Sequence, residues 1–211
     1  RISDAEVTTL AGSAGAAGSS DGIGAAARFN GPKGIVVHAG FLYVTDQLNS
    51  TIRKIDPSNG SVTTIAGSAG VNESVDGTGA NARLENPRGI ASHGTYLYFA
   101  DGWGKLLRRL DTASAEVTTV AGFRHGIEAA DDGVGDSARF SELMDVCSDG
   151  TYLYAVETTN HTVRRIDPAT QTVTTLAGKA AGAGTSDGIG PAAQFFIPEA
   201  VAYADGYLFV G

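Results

Sequence analysis

Four near-copies of one text, written end to end, constrain this chain more than any other feature. VTTLAG at Val7, VTTIAG at Val62, VTTVAG at Val117 and VTTLAG at Val173 stand 55, 55 and 56 residues apart. A fixed period of that length implies a repeat architecture, in which each unit hides its apolar face against the next. The copies run 7–61, 62–116, 117–172 and 173–211, the last one incomplete.

Each copy carries the same sub-segments in the same order. DGIGAAARF, DGTGANARL, DGVGDSARF and DGIGPAAQF begin at Asp21, Asp76, Asp132 and Asp187. An apolar run follows (GIVVHA, GIASHG, DVCSDG, AVAYAD), then LYV, LYF, LYA or LFV, then IRKID, LRRLD or VRRID. These runs of four to six residues are rich in Val, Ile, Thr, Tyr and Phe and are bounded by Gly, Asp, Asn or Pro, which is strand patterning. No window shows the i, i+3, i+4, i+7 spacing that a helical solenoid requires. The Gly, Ala and Ser stretch after each VTT run reads as a loop. Four short strands per period predict an all-β chain built as a β-propeller with four-stranded antiparallel blades. The last copy stops before its third run, so the expectation is a part of a larger ring of six or more blades. Unpaired strand edges at the two ends would make the isolated piece associate.

The order P-x-G-I, L-Y-V-x-D, N-x-x-I-R resembles the NHL repeat, in the long form that carries DGxGxxARF between blades. The resemblance spans essentially the whole chain. It implies that the GIVVH-type strand lines the central channel and the VTTL-type strand lies outermost. The family's Asn-His pair stands here as Asn160 and His161, and has become Asn49–Ser50 and Gly104–Lys105 in earlier copies.

Charge narrows the function. A net charge of -8 leaves no basic face for phosphate contacts, which disfavours nucleic acid as a partner. No apolar run is long enough for a transmembrane helix. The single cysteine, Cys147, occupies a small position in the channel-lining strand and reads as packing.

What recurs in every copy serves the fold, and what varies is free for a partner. Gly22, Gly77, Gly133 and Gly188 recur, and an Asp-Gly pair suggests a turn with a positive φ at glycine. His38 and His93, with Asp149 and Ala204 at the equivalent positions, superficially resemble a ring of zinc ligands but read as turn positions. Lys33, Arg88, Met144 and Glu199 vary and precede the channel-lining strand, so they should ring one mouth of the channel. Leu48, Trp103 and Thr159, in the turns between second and third strands, fall on that same face, and Arg124 and His125 extend it. Trp103, between two glycines, is a candidate interface anchor. Asn72, Asn49 and Asn160 are candidate glycosylation sites. Arg28, Arg83 and Arg139 of the ARF segments are expected to pair with Asp46, Asp101 and Glu157.

No nucleophile-base pair, isolated carboxylate pair or phosphate loop stands apart from the repeat. The expected function is a non-enzymatic interaction or scaffold module of an extracellular or cell-surface protein. It would use no cofactor, and its partner would be a protein or other copies or segments of the same assembly. The rivals are a hydrolase or lyase with a metal in the channel, for which only Asp145 and Glu199 offer carboxylates near the mouth, and an RNA-binding propeller.

Overall fold

The computed structural model describes residues 6–124 and 129–211. They form an all-β structure of three five-stranded antiparallel sheets and a two-stranded hairpin. The first sheet contains β1 (Gly22–Ile23), β2 (Pro32–His38), β3 (Phe41–Asp46), β4 (Thr51–Ile55) and β5 (Ser61–Gly67), in the order β1-β5-β4-β3-β2. The second repeats that order with β6 (Gly77–Thr78), β7 (Pro87–His93), β8 (Tyr96–Asp101), β9 (Leu106–Asp111) and β10 (Glu116–Ala121). The third does so with β11 (Gly133–Val134), β12 (Leu143–Ser148), β13 (Leu153–Glu157), β14 (Thr162–Asp167) and β15 (Thr172–Gly178). The hairpin is β16 (Val201–Ala204) with β17 (Tyr207–Val210).

The long strands fall where the alternation places them, and the helical residues are single 3-10 turns such as Gly24–Ala26 and Gly79–Asn81. One feature differs from the sequence reading. The DG segment adds a two-residue strand to the outer edge of its sheet, Gly22 opposite Val62 and Gly77 opposite Val117. The VTT strand is the fourth long strand of each five-stranded sheet, so it comes from the following copy, and the first such segment, at Val7, belongs to no sheet.

The glycine expectation holds at Gly22, whose φ is 150°, and is corrected in the other copies. The second glycine of DGxG takes the left-handed conformation, with φ of 53° at Gly24, 57° at Gly79, 55° at Gly135 and 55° at Gly190. At Gly77 the first glycine is held small by packing, since a Cβ there would lie 3.0 Å from the Ala82 nitrogen.

Successive sheets stack through their inner strands: β2 lies beside β7, β7 beside β12 and β12 beside β16. The pairing register shifts near the start of β2, β7 and β12, at the residues where adjacent inner strands come close. The approach explains the glycine of P-x-G-I, because a Cβ on Gly34 would stand 2.6 Å from the Arg88 carbonyl oxygen. The apolar core lies between sheets. Tyr43, Ile90, Leu97 and Phe99 fill the first junction, and Tyr98, Leu143, Val146 and Leu153 fill the second. Each such side chain contributes about 1.5–3 kcal/mol on burial.

A buried arginine fastens every five-stranded sheet, and it is not the arginine expected from the sequence. Arg53, Arg108 and Arg164, on the third long strands, are fully buried. Arg53 bridges Asp46 and Asp21, each at 2.8 Å. Arg108 bridges Asp101 at 2.7 Å and Asp76 at 3.0 Å, and Arg164 bridges Glu157 at 2.9 Å and Asp132 at 3.0 Å. Arg28, Arg83 and Arg139 instead donate to backbone carbonyls of their own segments, those of Ala25 and Ala27, Ala80 and Ala82, and Asp136 and Ala138. The carboxylates expected to meet them are taken by a side chain that can arrive from within the sheet.

The outer acid of this latch titrates in a determined direction. Burial pushes the Asp21 carboxyl up, but hydrogen bonds from the Thr64 N–H and hydroxyl and from Arg53 outweigh it, so its pKa lies below the ordinary value. A depressed carboxyl stabilises the fold above its unfolded pKa and loses that contribution as pH falls through the folded one. Asp21→Asn should therefore lower Tm at neutral pH, with the difference from wild type closing once pH drops below about 3.9. A Tm difference independent of pH would contradict this.

Candidate functional site

Four inner strands enclose a cavity of ≈ 630 Å³, lined among others by Lys33, Arg88, Met144, Asp145, Glu199 and Tyr203. The residues expected to ring its mouth are thus brought together. Lys33 and Glu199 are exposed, and Met144 is partly buried. Arg88 has another task. Its guanidinium pairs with Glu142, donates from Nε to Asn86 Oδ1 at 2.8 Å and reaches Met144 Sδ, tying the second sheet to the third.

The turns between second and third long strands lie on the same face. Leu48 donates its N–H to Asn30, Trp103 to Glu85 and Thr158 to Glu142, each acceptor just preceding an inner strand. Leu48 and Thr159 are exposed, and Trp103 keeps 51% of its surface free. Both glycines beside Trp103 have packing reasons. A Cβ on Gly102 would stand 2.9 Å from Arg88 Nε, and one on Gly104 would collide with Ser74 Oγ. Arg124 is exposed, whereas His125 lies outside the described residues.

Ser74 explains how the Asn of the Asn-His pair is lost without loss of structure. Asn49 Nδ2 donates to the Gly18 carbonyl and to Asp46, both at 2.7 Å, and Asn160 Nδ2 does the same for Ala129 and Glu157. In the second copy, Gly104 leaves this space to Ser74, whose hydroxyl donates to Asp101 at 2.9 Å. Asn49 and Asn160 are therefore buried structural amides whose nitrogens are already engaged, which leaves no room there for a glycan. Asn72 is exposed.

Asp145 stands where β2 and β7 have Gly34 and Gly89. Its carboxylate accepts the Val146 N–H at 2.9 Å and, across the sheet junction, the Val201 N–H at 3.0 Å. Burial raises its pKa against those two bonds. Burial, with Asp145 and Asp149 nearby, pushes the Cys147 thiol up to about 12, which keeps it a protonated packing group. His38 and His93 bond through Nδ1 to Ser92 and Ser148 of the next inner strand, at 2.8 Å. They are ties between sheets, while Asp149 caps its own turn through the Thr151 and Tyr152 N–H groups. Among the described residues no group of three or more His, Cys, Asp or Glu is placed to hold a metal ion, and no helix is long and apolar enough to cross a membrane.

The chain matches no protein-family model. It is 31% identical over 144 residues to NHL repeat-containing protein 2 of Bos taurus and 29% identical over 147 residues to that of Homo sapiens. These alignments cover 63% and 64% of this chain, and the chain spans only 19% and 20% of those relatives. Among solved structures, an auxiliary nutrient binding protein from Bacteroides thetaiotaomicron superposes with a TM-score of 0.68 at 20% identity, covering 89% of this chain and 46% of that one. That likeness concerns the fold. Propeller-like stacking, the recurrent P-x-G-I and L-Y-V-x-D strands and the similarity to NHL repeat-containing proteins together show that this chain resembles the NHL-repeat family.

Proposed function

We propose that the chain is a non-enzymatic interaction module, an arc of four DGxGxxARF-type units from a larger propeller, which binds a protein partner on the face carrying the cavity mouth. Trp103 carries the reading. It stands half-exposed while the residues that could cover it, Arg88 and Ser74, are packed into the space its flanking glycines leave. Leu48, Phe196 and Ile197 are further exposed apolar side chains of the segments on that face. Large aromatic anchors among smaller apolar contacts are the usual carriers of binding energy. An extracellular or cell-surface setting is part of this proposal, and Asn72, exposed and held only through Oδ1 by the Ser50 hydroxyl, is the sequon that would carry a glycan there.

The test is selection of binding proteins on immobilised chain, followed by affinity measurement with Trp103→Ala. Loss of about 2 kcal/mol, roughly thirtyfold in Kd, is expected at such an anchor. Unchanged affinity would move the interface elsewhere. Stoichiometric calcium or zinc in the purified protein would instead favour the hydrolase or lyase reading, in which Asp145 and Glu199 turn from structural and surface groups into ligands.

A further inference from the structure

One end of the second sheet carries a pair of aromatic side chains that neither neighbouring sheet has. Its turn between second and third long strands presents Trp103, where the first sheet has Leu48 and the third Thr159. Its fourth long strand runs out into Phe123, where the first sheet has Ser68 and the third Lys179. The two segments lie together: a Cβ on Gly122 would collide with the Lys105 carbonyl oxygen, so the chain leaves β10 beside the turn that holds Trp103. Both aromatics are 51% exposed. The ends of the chain do not cause this, since the second sheet is stacked between the first and the third.

Charge at that spot runs against the charge of the chain. The Arg139 guanidinium lies 4.8 Å from the centre of the Phe123 ring and donates, through Nη1, to the carbonyls of Asp136 and Ala138. Arg124 follows Phe123 and is exposed. Neither arginine forms an ion pair among the described residues. Two acids of the same face, Asp101 and Glu142, are already engaged by Arg108 and Arg88. Two cations suit a few carboxylates but not a run of phosphates, least of all on a chain of net charge -8.

We propose that Trp103 and Phe123 form one anchor site and that the partner fills it with an acidic segment, in which a large apolar side chain is flanked by Asp or Glu. This deepens the reading of the Trp103 face as an interface and rests on it. The apolar side chain covers the two rings, and the carboxylates take Arg124 and Arg139, whose guanidinium the Phe123 ring already holds in place.

Random peptides displayed on phage are to be selected on the immobilised 211-residue chain, and affinities of the enriched peptides measured at about 0.15 M salt, where distant charges are screened. Those peptides should carry Asp or Glu beside Leu, Phe or Trp. Trp103→Ala and Phe123→Ala should each weaken them about thirtyfold. Arg124→Glu should weaken them about tenfold, and peptides with Asn and Gln in place of their acids should no longer sense it. Phe123→Tyr, which keeps the ring, should bind as wild type. Lys179→Glu is the charge control and should leave affinity within about twofold. Enriched peptides without acids, or binding indifferent to Phe123→Ala, overturn the proposal, while dependence on Trp103 leaves the interface reading standing. Equal weakening by Arg124→Glu and Lys179→Glu overturns it too, because the attraction would then belong to the net charge. Displacement of the peptides by single-stranded oligouridine would overturn it in favour of a base-stacking platform. Binding untouched by Trp103→Ala, or a selection that enriches nothing, overturns both readings.

Discussion

Arg108→Ala should lower the unfolding free energy by about 3–5 kcal/mol, the range for removing one partner of a buried ion pair. The loss comes from what stays behind. Asp101 is fully buried, and burial already holds its carboxyl above the ordinary value, against Arg108, the Glu85 N–H and the Ser74 hydroxyl. Without the guanidinium that carboxyl keeps its desolvation cost and is pushed further up. Arg83→Ala, just before the next inner strand, removes only bonds to the Ala80 and Ala82 carbonyls and should cost about 1 kcal/mol. Urea unfolding of the two variants separates them, and equal losses would mean that the latch is misassigned. Arg108→Met with Asp101→Leu should recover part of the loss, since a buried pair contributes less than its rupture costs. Recovery would be incomplete because Asp101 also holds Glu85 and Ser74. The Nε atoms of Arg53, Arg108 and Arg164 are buried without a partner, which further limits what each latch adds.

Gly89→Ala should cost about 3 kcal/mol, although glycine to alanine in a strand ordinarily stabilises. A Cβ there would stand 2.5 Å from the Asp145 Cα, which is backbone and cannot rotate away. The inner strands β7 and β12 would have to part, dragging with them the Asp145 bond to the Val201 N–H. Gly94→Ala is the control. Its φ is +59° but nothing lies within 4 Å of a Cβ, so only the left-handed backbone penalty of about 1 kcal/mol applies. A Gly89→Ala protein as stable as the Gly94→Ala protein would show that the inner strands tolerate separation.

The period and the alternation of Val, Ile and Tyr were enough to place the long strands, because a half-buried strand states its register in its own side chains. The fifth strand was not legible, since two residues such as Gly22 and Ile23 carry no alternation. Arginine assignment failed for a related reason. Arg83 and Arg108 recur with the same period, so correlated occurrence with Asp101 cannot separate them. What separates them is the side of the sheet. Arg108 opposes Phe99 and Thr119 in the ladder, beneath the DG loop, whereas Arg83 lies outside it. The residues lining the cavity mouth stand out in the sequence because they vary between copies. That Arg88 already pairs with Glu142 could not be read, since no rule of spacing links residues 54 positions apart in adjacent sheets. Likewise Gly104 reads as a lost Asn until Ser74 is seen in its place.

Each sheet borrows its closing strand from the copy that follows, and that offset bears on how such a gene changes length. A recombination that removes or duplicates one period may cut within any strand, loop or turn. The hand-over survives wherever the cut falls, because the incoming VTT strand finds the same third strand, the same latch arginine and the same DG aspartate that the outgoing one left. Unit number can therefore drift by whole periods, cut at equivalent positions, without passing through an intermediate that carries an orphaned strand.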